Sequence, residues 1–161
     1  MRVILQRTTR SSVLIDGNEK RSCHGGLLIL LGIEHADTEE DIEWLCPKIV
    51  KLRIFPDESG VMNKNIIERE GEILLISQFT LHANTKKGNR PSYINAARPE
   101  QAISLYEKFI SSLEKELGKK ITTGVFGADM QVELINDGPV TIFMDSKDRG
   151  WIPQQCAEVL G

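Results

Sequence analysis

The sequence lacks the cysteine spacing of a disulfide-rich or zinc-binding protein. Its 161 residues include three cysteines, Cys23, Cys46 and Cys156, which form no CxxC pair. A disulfide framework uses an even set of cysteines, and a structural zinc site draws its ligands from closely spaced pairs. We therefore expect free thiols in a reducing compartment and no metal site. A chain of this length can bury a sufficient core without cross-links.

Long apolar runs are also missing. The longest, residues 27–33, has seven residues and contains a glycine, whereas a membrane-spanning helix needs about 20 apolar residues. The opening segment, residues 1–7, is too short and too charged for a secretory signal. We expect a cytoplasmic protein without a membrane partner.

An excess of positive charge is absent too. The 20 Lys and Arg residues are outnumbered by 23 Asp and Glu residues, which gives a net charge of −3. Proteins that coat nucleic acid need a strong positive field, so we expect no DNA partner. Residues 82–98 are different, because they contain four basic residues and no acid: Lys86, Lys87, Arg90 and Arg98. A local contact with phosphate is expected only there.

The hydrophobic pattern predicts one α/β domain over residues 1–147, with a C-terminal tail over residues 148–161 in which Trp151 and Pro153 dock back. We expect a single compact domain with a mixed, mainly antiparallel sheet and two packed helices. The first helix follows the capping-box-like Thr38-Glu39-Glu40-Asp41, and the second runs from Pro99 to Gly118. The predicted strands are 2–8, 12–15, 27–31, 72–81, 121–125, 132–135 and 140–144. The predicted buried stripe of the second helix is Ile103, Tyr106, Ile110, Leu113 and Leu117.

Two polar segments stand out against this pattern. Ser77-Gln78-Phe79-Thr80 ends an otherwise apolar strand, where polar groups cost free energy unless they have partners. A binding site supplies such partners, and ordinary polar capping of the strand also explains them. Asn136-Asp137-Gly138-Pro139 predicts a hairpin turn. Its alternative is a rigid loop, with a cis bond before Pro139, that presents carbonyls to an ammonium group.

No familiar catalytic signature accompanies these segments. The sequence has no GxSxG, P-loop, GxGxxG or HExxH pattern, and its three histidines lack metal-ligand spacing. Cys23 and His24 are adjacent, so on a strand their side chains point to opposite faces and form no dyad. The residues alone define an α/β domain with a polar strand end and a basic loop.

Three segments taken together resemble the D-aminoacyl-tRNA deacylase family. The resemblance runs in order over residues 1–146, which makes it specific. The segments are Ser77-Gln-Phe-Thr-Leu81, Lys87-Gly-Asn-Arg-Pro-Ser92, and Phe126-Gly-Ala-Asp-Met130 leading into Asn136-Asp-Gly-Pro-Val-Thr141.

This resemblance implies a homodimer with active sites at the subunit interface. The catalytic segment of one chain (Ser77, Gln78, Phe79 and Thr80) would meet Gly138 and Pro139 of the other. In the family this Gly-Pro bond is cis, and its carbonyls lie where an L side chain would go, so D-amino acids and glycine are accepted by exclusion of the L form. The further substrate-binding residues implied are Arg7, Asn136, Val140 and Thr141, with Arg7 holding the loop.

Such an enzyme hydrolyses the ester of a D-amino acid or glycine with tRNA and so proofreads translation. Its partner would be the single-stranded 3′ acceptor end of aminoacyl-tRNA, with Lys86, Lys87 and Arg90 at acceptor-stem phosphates. No side chain is an evident base for Thr80. We therefore expect backbone N–H groups around Phe79 and Thr80 to bind the oxyanion, and the 2′-hydroxyl of the terminal adenosine to assist, without a cofactor.

Three alternatives stay open at this point. The first is a nucleic-acid- or nucleotide-binding module without catalysis, which the net charge of −3 disfavours for general DNA binding. The second is a hydrolase for another small ester or amide that acts through Thr80. The third is a purely structural dimer, which leaves the polar strand end unexplained.

Overall fold

The computed structural model describes residues 1–150, which contain eight strands and two long helices. In chain order these are β1 (Arg2–Ile15), β2 (Glu19–Cys23), β3 (Gly26–Gly32), α1 (Glu39–Lys51), β4 (Phe55–Pro56), β5 (Met62–Lys64), β6 (Glu72–Ser77), α2 (Pro99–Leu117), β7 (Thr122–Thr123) and β8 (Met130–Asp145). Short 3₁₀ turns cover Phe79–His82 and Ser146–Asp148.

Six of the strands form one mixed sheet, in the order β2-β1-β3-β6-β7, with β8 paired to β1. Strand β1 is antiparallel to β2, β3 and β8. Strands β3 and β6 are parallel, as are β6 and β7. The predicted α/β domain with a mixed sheet and two helices is therefore confirmed.

The central strands β3 and β6 are buried on both faces. On one face, Leu27, Ile29 and Leu31 pack with Phe109 and Leu113 in the larger core, which α1 and α2 cover. On the other face, Leu28, Leu74 and Ile76 pack with Val13 and Ile15 in a smaller core. Burial on both faces accounts for the continuous apolar runs that predicted these strands.

Local sequence chemistry fixes the start of α1 and both ends of α2. The Asp41 carboxylate accepts the backbone N–H of Thr38 at 2.7 Å at the start of α1, as in the predicted capping box. Helix α2 begins at Pro99 and ends at Leu117, where it is capped by Gly118 with a left-handed φ of 80°. The predicted buried stripe of α2 is partly wrong, because Ile103 is exposed. The residues of α2 that are buried are Ala102, Leu105, Tyr106, Phe109, Leu113 and Leu117.

Two long strands replace four predicted short ones. Residues 2–8 and 12–15 belong to the single strand β1, and residues 132–135 and 140–144 to the single strand β8. The two strands pair over residues 2–15 and 130–145, with irregularities between Gln6 and Arg10. The hairpin interpretation of Asn136 to Pro139 is therefore wrong. These residues bulge out of β8, whose two halves pair with the same partner.

Two other predictions need correction. The strand predicted over residues 72–81 ends at Ser77 and is followed by a 3₁₀ turn. The strand predicted over residues 121–125 covers only Thr122–Thr123. The basic loop of residues 82–98 is held by two isolated bridges, which join Asn84 to Ser92 and Glu34 to Ala96.

The predicted tail falls mostly outside the described residues. Residues 146–148 form a 3₁₀ turn at the end of β8, whereas Trp151 and Pro153 lie beyond residue 150. No helix within residues 1–150 is both long and apolar enough to cross a membrane.

Candidate active site

The polar segment predicted from the sequence forms a tight turn at the end of β6. The backbone N–H of Gln78 donates to the Leu31 carbonyl at 2.7 Å, and that of Leu81 donates to the Gln78 carbonyl at 3.2 Å. The first N–H groups of such a turn have no partner within it. Within residues 1–150, the N–H groups of Phe79 and Thr80 donate to no other backbone group. Two adjacent backbone donors are therefore available to a ligand.

Gly32 allows this turn to lie against the end of β3. A Cβ atom at residue 32 would be 2.9 Å from the Leu81 Cβ, 3.0 Å from the Gln78 carbonyl oxygen and 3.1 Å from the His82 Cδ2. Those separations are shorter than van der Waals contact, so any larger residue would push the turn away. Glycine is needed here for the close approach of two chain segments.

Arg2 holds the other end of the turn. Its Nη1 donates to the Leu81 carbonyl at 2.9 Å, and its Nε donates to Asp145 Oδ2 at 2.9 Å. Burial alone would raise the pKa of Asp145. The backbone N–H of Lys147 and the side chain of Arg2 outweigh burial, so that pKa is lowered. The turn is thereby connected to the end of β8 through a charged pair.

A cleft with a cavity volume of about 310 Å³ opens beside the turn. Three of the four predicted catalytic residues, Ser77, Gln78 and Phe79, line it, while Thr80 contacts Gln78 through its hydroxyl group. The other lining residues are apolar or glycine: Leu31, Ile33, Ile76, Ala97, Ala102, Phe126, Gly127, Ala128, Met130 and Val132. The lining includes no Asp, Glu, His, Lys or Cys, so it offers no side chain that works as a base near neutral pH.

The two described cysteines do not change this picture. Cys23 and Cys46 are free and buried. Burial raises the pKa of Cys23, and it raises the pKa of Cys46 to about 12. A buried thiol with a raised pKa is a poor nucleophile.

The second predicted segment forms a bulge in β8 opposite Arg7. The Gly138–Pro139 peptide bond is cis, and Gly138 has a φ of 115°. Within the bulge, the Asn136 side chain donates to Thr141 Oγ1 at 2.9 Å and accepts the backbone N–H of Val140 at 3.2 Å. These two bonds close the loop and leave Gly138 and Pro139 exposed at its tip.

Arg7 supports the bulge from inside the fold. Its buried side chain donates from Nη1 to the Ile54 carbonyl at 2.7 Å. Its Nε lies 3.0 Å from Asp137 Oδ2, an ion pair in which the N–H direction does not make a hydrogen bond. A Cβ atom at residue 138 would lie 2.8 Å from Arg7 Nη2. The guanidinium is thus packed directly against Gly138.

The predicted site residues fall into separate groups within one chain. The cleft beside Gln78 is lined by neither Gly138 nor Pro139. Lys86, Lys87 and Arg90 are exposed on the loop of residues 82–98. Sequence reasoning missed Gly32 and the lining of the cleft by Ala97 and Met130. The signal for Gly32 was a glycine within the apolar run of residues 27–33, because glycine in a strand often marks a close approach of two backbones.

Comparisons with known proteins identify the class. A family model described as D-Tyr-tRNA(Tyr) deacylase matches residues 4–145. A D-aminoacyl-tRNA deacylase of Bacteroides thetaiotaomicron is 64% identical over 149 residues, which covers 92% of this chain and 99% of the relative. One of Flavobacterium johnsoniae is 62% identical with the same coverage. The matching proteins are hydrolases that act as deacylases. The chain belongs to the D-Tyr-tRNA(Tyr) deacylase family.

Solved structures show the same fold. One described as c-Myc DNA Unwinding Element Binding Protein has a TM-score of 0.82 and 42% identity, and the match covers 90% of this chain and 98% of that one. Another, described as a probable eukaryotic D-amino acid tRNA deacylase, has a TM-score of 0.77, with coverages of 89% and 97%. Its identity is only 16%, so it supports the fold alone.

Proposed function

We propose that this protein hydrolyses the ester bond of D-aminoacyl-tRNA, and of glycine mischarged on tRNA, as a cytoplasmic proofreading enzyme of translation. The observation that carries the proposal is the 64% identity to a D-aminoacyl-tRNA deacylase over 92% of the chain. The catalytic unit is the domain of residues 1–147, which includes the family match at residues 4–145.

The free backbone N–H groups of Phe79 and Thr80 support an oxyanion role. Ester hydrolysis passes through a tetrahedral intermediate, and preorganised N–H donors stabilise the charge on its oxygen. The cleft lining contains no basic side chain. The 2′-hydroxyl of the terminal adenosine, next to the ester, therefore orients the attacking water, while Ser77 and Gln78 position the substrate.

Thr80→Ala separates this mechanism from a threonine nucleophile. We expect the variant to retain most of its turnover, because the Thr80 backbone N–H remains in place. The assay is single-turnover release of amino acid from D-tyrosyl-tRNA, with tRNA affinity and thermal unfolding measured in parallel. Loss of turnover with unchanged fold and affinity would make Thr80 the nucleophile.

Gly138 and Pro139 are proposed to exclude the L-enantiomer. Their exposed position at the tip of a loop closed by Asn136, Val140 and Thr141 lets fixed carbonyls reach a substrate. A clash with the wrong enantiomer discriminates more strongly than one added favourable contact. Glycine has no side chain, so it escapes this exclusion.

A homodimer would bring the loop of one chain to the cleft of the other. Strand β8 pairs only with β1 within residues 1–150, and it exposes Ile135 before the Gly138–Pro139 loop and Phe143 after it. Exposed apolar residues around a functional loop are typical of an interface. A two-fold interface there would create two equivalent sites.

Phe143→Glu tests the interface. We expect sedimentation velocity to show a shift from dimer to monomer, with deacylation lost in parallel. The matched control is Val61→Glu, which places the same charge on an exposed apolar residue of the β4–β5 region and should leave a dimer. A dimeric, fully active Phe143→Glu variant would place the interface elsewhere.

Lys86, Lys87 and Arg90 are proposed to contact acceptor-stem phosphates, because they are exposed on a segment without acids. Lys86→Glu with Lys87→Glu should weaken tRNA binding. It should also reduce the slope of log K against log salt by roughly 0.7–0.9 for each phosphate that the variant no longer neutralises. Lys115→Glu, on the exposed side of α2, is the charge-matched control. An unchanged slope removes these residues from the footprint.

The structural relative named for DNA binding makes a nucleic-acid-binding module the second candidate. The net charge of −3 disfavours it. The deciding experiment is release of labelled amino acid from D-tyrosyl-tRNA and L-tyrosyl-tRNA, with and without EDTA. Loss of the D form alone, unaffected by EDTA, supports a metal-free chiral deacylase. Loss of neither favours the binding module, and loss of both contradicts the exclusion argument.

A further inference from the structure

An exposed aromatic pair lies at the mouth of the cleft. The rings of Phe79 and Tyr93 meet edge to face, with centroids 5.1 Å apart and an interplanar angle of 75°. Phe79 is 56% exposed and Tyr93 is 38% exposed. Phe79 also lines the cleft, so the pair extends the candidate active site outward along the loop of residues 82–98.

Backbone bonds hold this loop in place. Asn84 and Ser92 exchange two backbone hydrogen bonds, at 2.7 and 3.0 Å, and the N–H of Ala96 donates to the Tyr93 carbonyl at 3.0 Å. The Asn84 side chain accepts the backbone N–H of Lys86 at 3.0 Å. Tyr93 is therefore presented at a fixed position, which lowers the entropic cost of binding against its ring.

The loop that carries Tyr93 is basic. The same loop carries Lys86, Lys87 and Arg90, all exposed, and residues 82–98 contain no acid. Aromatic side chains next to a basic track are the combination that binds single-stranded nucleic acid, because bases stack on the rings while the cations follow the phosphates.

We propose that Tyr93, supported by Phe79, stacks against a base of the unpaired nucleotides that precede the terminal adenosine of tRNA. The inference rests on the proposed deacylase function and adds a contact outside the reacting ester. The terminal adenosine and its amino acid enter the cleft beside Phe79. The preceding nucleotides then leave the cleft past Tyr93 toward Lys86 and Lys87.

Stacking predicts a dependence on the ring of Tyr93 and not on its hydroxyl group. Tyr93→Ala should raise the KM for D-tyrosyl-tRNA about 5- to 150-fold, the range expected for loss of one base–aromatic stack, and leave kcat unchanged. Tyr93→Phe should retain the wild-type KM. The matched control is Ile94→Ala, which removes a neighbouring apolar side chain that is 76% exposed and should change nothing.

The experiment is a double-mutant cycle with tRNA that is abasic at the two nucleotides before the terminal adenosine. Wild type should lose affinity for the abasic tRNA, and Tyr93→Ala should add no further loss, because both changes remove the same interaction. The same cycle is measured on the Kd of a fluorescein-labelled, unacylated tRNA minihelix, which does not depend on turnover. A wild type that binds but never hydrolyses would refute the deacylase function while the Kd cycle still decides the stacking.

Three results would overturn the stacking proposal. The first is additive losses from Tyr93→Ala and the abasic tRNA. The second is an equal loss in Ile94→Ala or Tyr93→Phe, which would assign the effect to general apolar surface or to the hydroxyl group. The third is dissociation of a wild-type dimer by Tyr93→Ala in sedimentation velocity, which would assign the pair to an interface between copies of this chain.

Discussion

Gly138→Ala perturbs the Gly138–Pro139 loop at its most crowded point. The new Cβ would be 2.8 Å from Arg7 Nη2 and 3.0 Å from Val140 Cγ2. Van der Waals contact begins at about 3.5 Å, so the new Cβ and Arg7 Nη2 must move apart by roughly 0.7 Å. Arg7 is held by the Ile54 carbonyl at 2.7 Å and lies 3.0 Å from Asp137, so the loop will move and not the guanidinium.

The expected losses of stability and activity follow from this displacement and from the backbone conformation of Gly138. A φ of 115° is unfavourable for alanine. We expect strain and overpacking together to cost about 2–4 kcal/mol, which lowers Tm by roughly 5–15 °C. A displacement approaching 1 Å can reduce catalysis on the order of 100-fold. Deacylation of D-tyrosyl-tRNA should fall by that order, with reduced preference for the D form over the L form.

Gly60→Ala is the matched control. Gly60 has a φ of 80° but no atom within 4 Å of its potential Cβ, so the change costs about 1–2 kcal/mol of backbone strain alone. We expect reduced Tm with unchanged kcat/KM and unchanged chiral preference. Thermal unfolding and single-turnover assays with both enantiomers measure these effects. Identical behaviour of Gly138→Ala and Gly60→Ala would refute the reasoning.

Three further predictions concern the supports of the site. Arg7→Lys should lower the free energy of unfolding in urea by about 1–3 kcal/mol, because a single ammonium group cannot replace the guanidinium nitrogens that face the Ile54 carbonyl and the bulge. The ratio of D- to L-tyrosyl-tRNA hydrolysis should also fall, and an unchanged ratio contradicts the support role. Gly32→Ala should reduce kcat by displacing the turn that carries Phe79 and Thr80, while the ratio of D- to L-tyrosyl-tRNA hydrolysis is retained. An unchanged kcat contradicts the role of Gly32 in holding the turn. Burial lowers the pKa of His82, outweighing the Gly32 carbonyl and Glu34, which raise it. The folded state thus binds the His82 proton less tightly than the unfolded state does. The free energy of unfolding that this adds is fully present above pH 6.5, and it should fall as the pH decreases from 6.5 toward the lowered pKa of His82. Urea unfolding measured from pH 7.5 to 5 should show this loss of stability. His82→Gln should weaken the pH dependence, and an identical dependence in the variant contradicts the assignment to His82.

Local chemistry in the sequence was sufficient for the helices and central strands. The acids after Thr38, the proline at residue 99 and the glycine at residue 118 mark helix ends through interactions with near neighbours in the chain. The apolar run of residues 27–31 predicts a strand that is buried on both faces, and the structure shows this burial.

Long-range pairing determined the features that sequence reasoning missed. Asn136 to Pro139 have the composition of a turn, yet β8 continues because both of its halves pair with β1. The strand predicted to reach residue 81 ends at Ser77, because the Gln78 N–H bonds to Leu31 and Gly32 lets the turn fold back. The pairing that keeps β8 continuous through the bulge, and the contacts that turn the chain after Ser77, both come from residues distant in the sequence.

Likewise, the cleft could be predicted only in part. The polar end of β6 was identified from its cost of burial, but Ala97, Met130 and Val132 reach the cleft from distant segments. Their apolar side chains resemble ordinary core residues in the sequence. Only the tertiary arrangement distinguishes a cleft lining from a core.

In the proposed dimer, each active site combines the cleft of one chain with the Gly138–Pro139 loop of the other. Gln78→Ala and Gly138→Ala are each expected to be nearly inactive as homodimers. A mixed dimer, purified through two different affinity tags, has one site with both elements intact and one with both altered. We predict about half of the wild-type rate per dimer on D-tyrosyl-tRNA, with the D preference retained. A folded mixed dimer as inactive as its parents would contradict the claim.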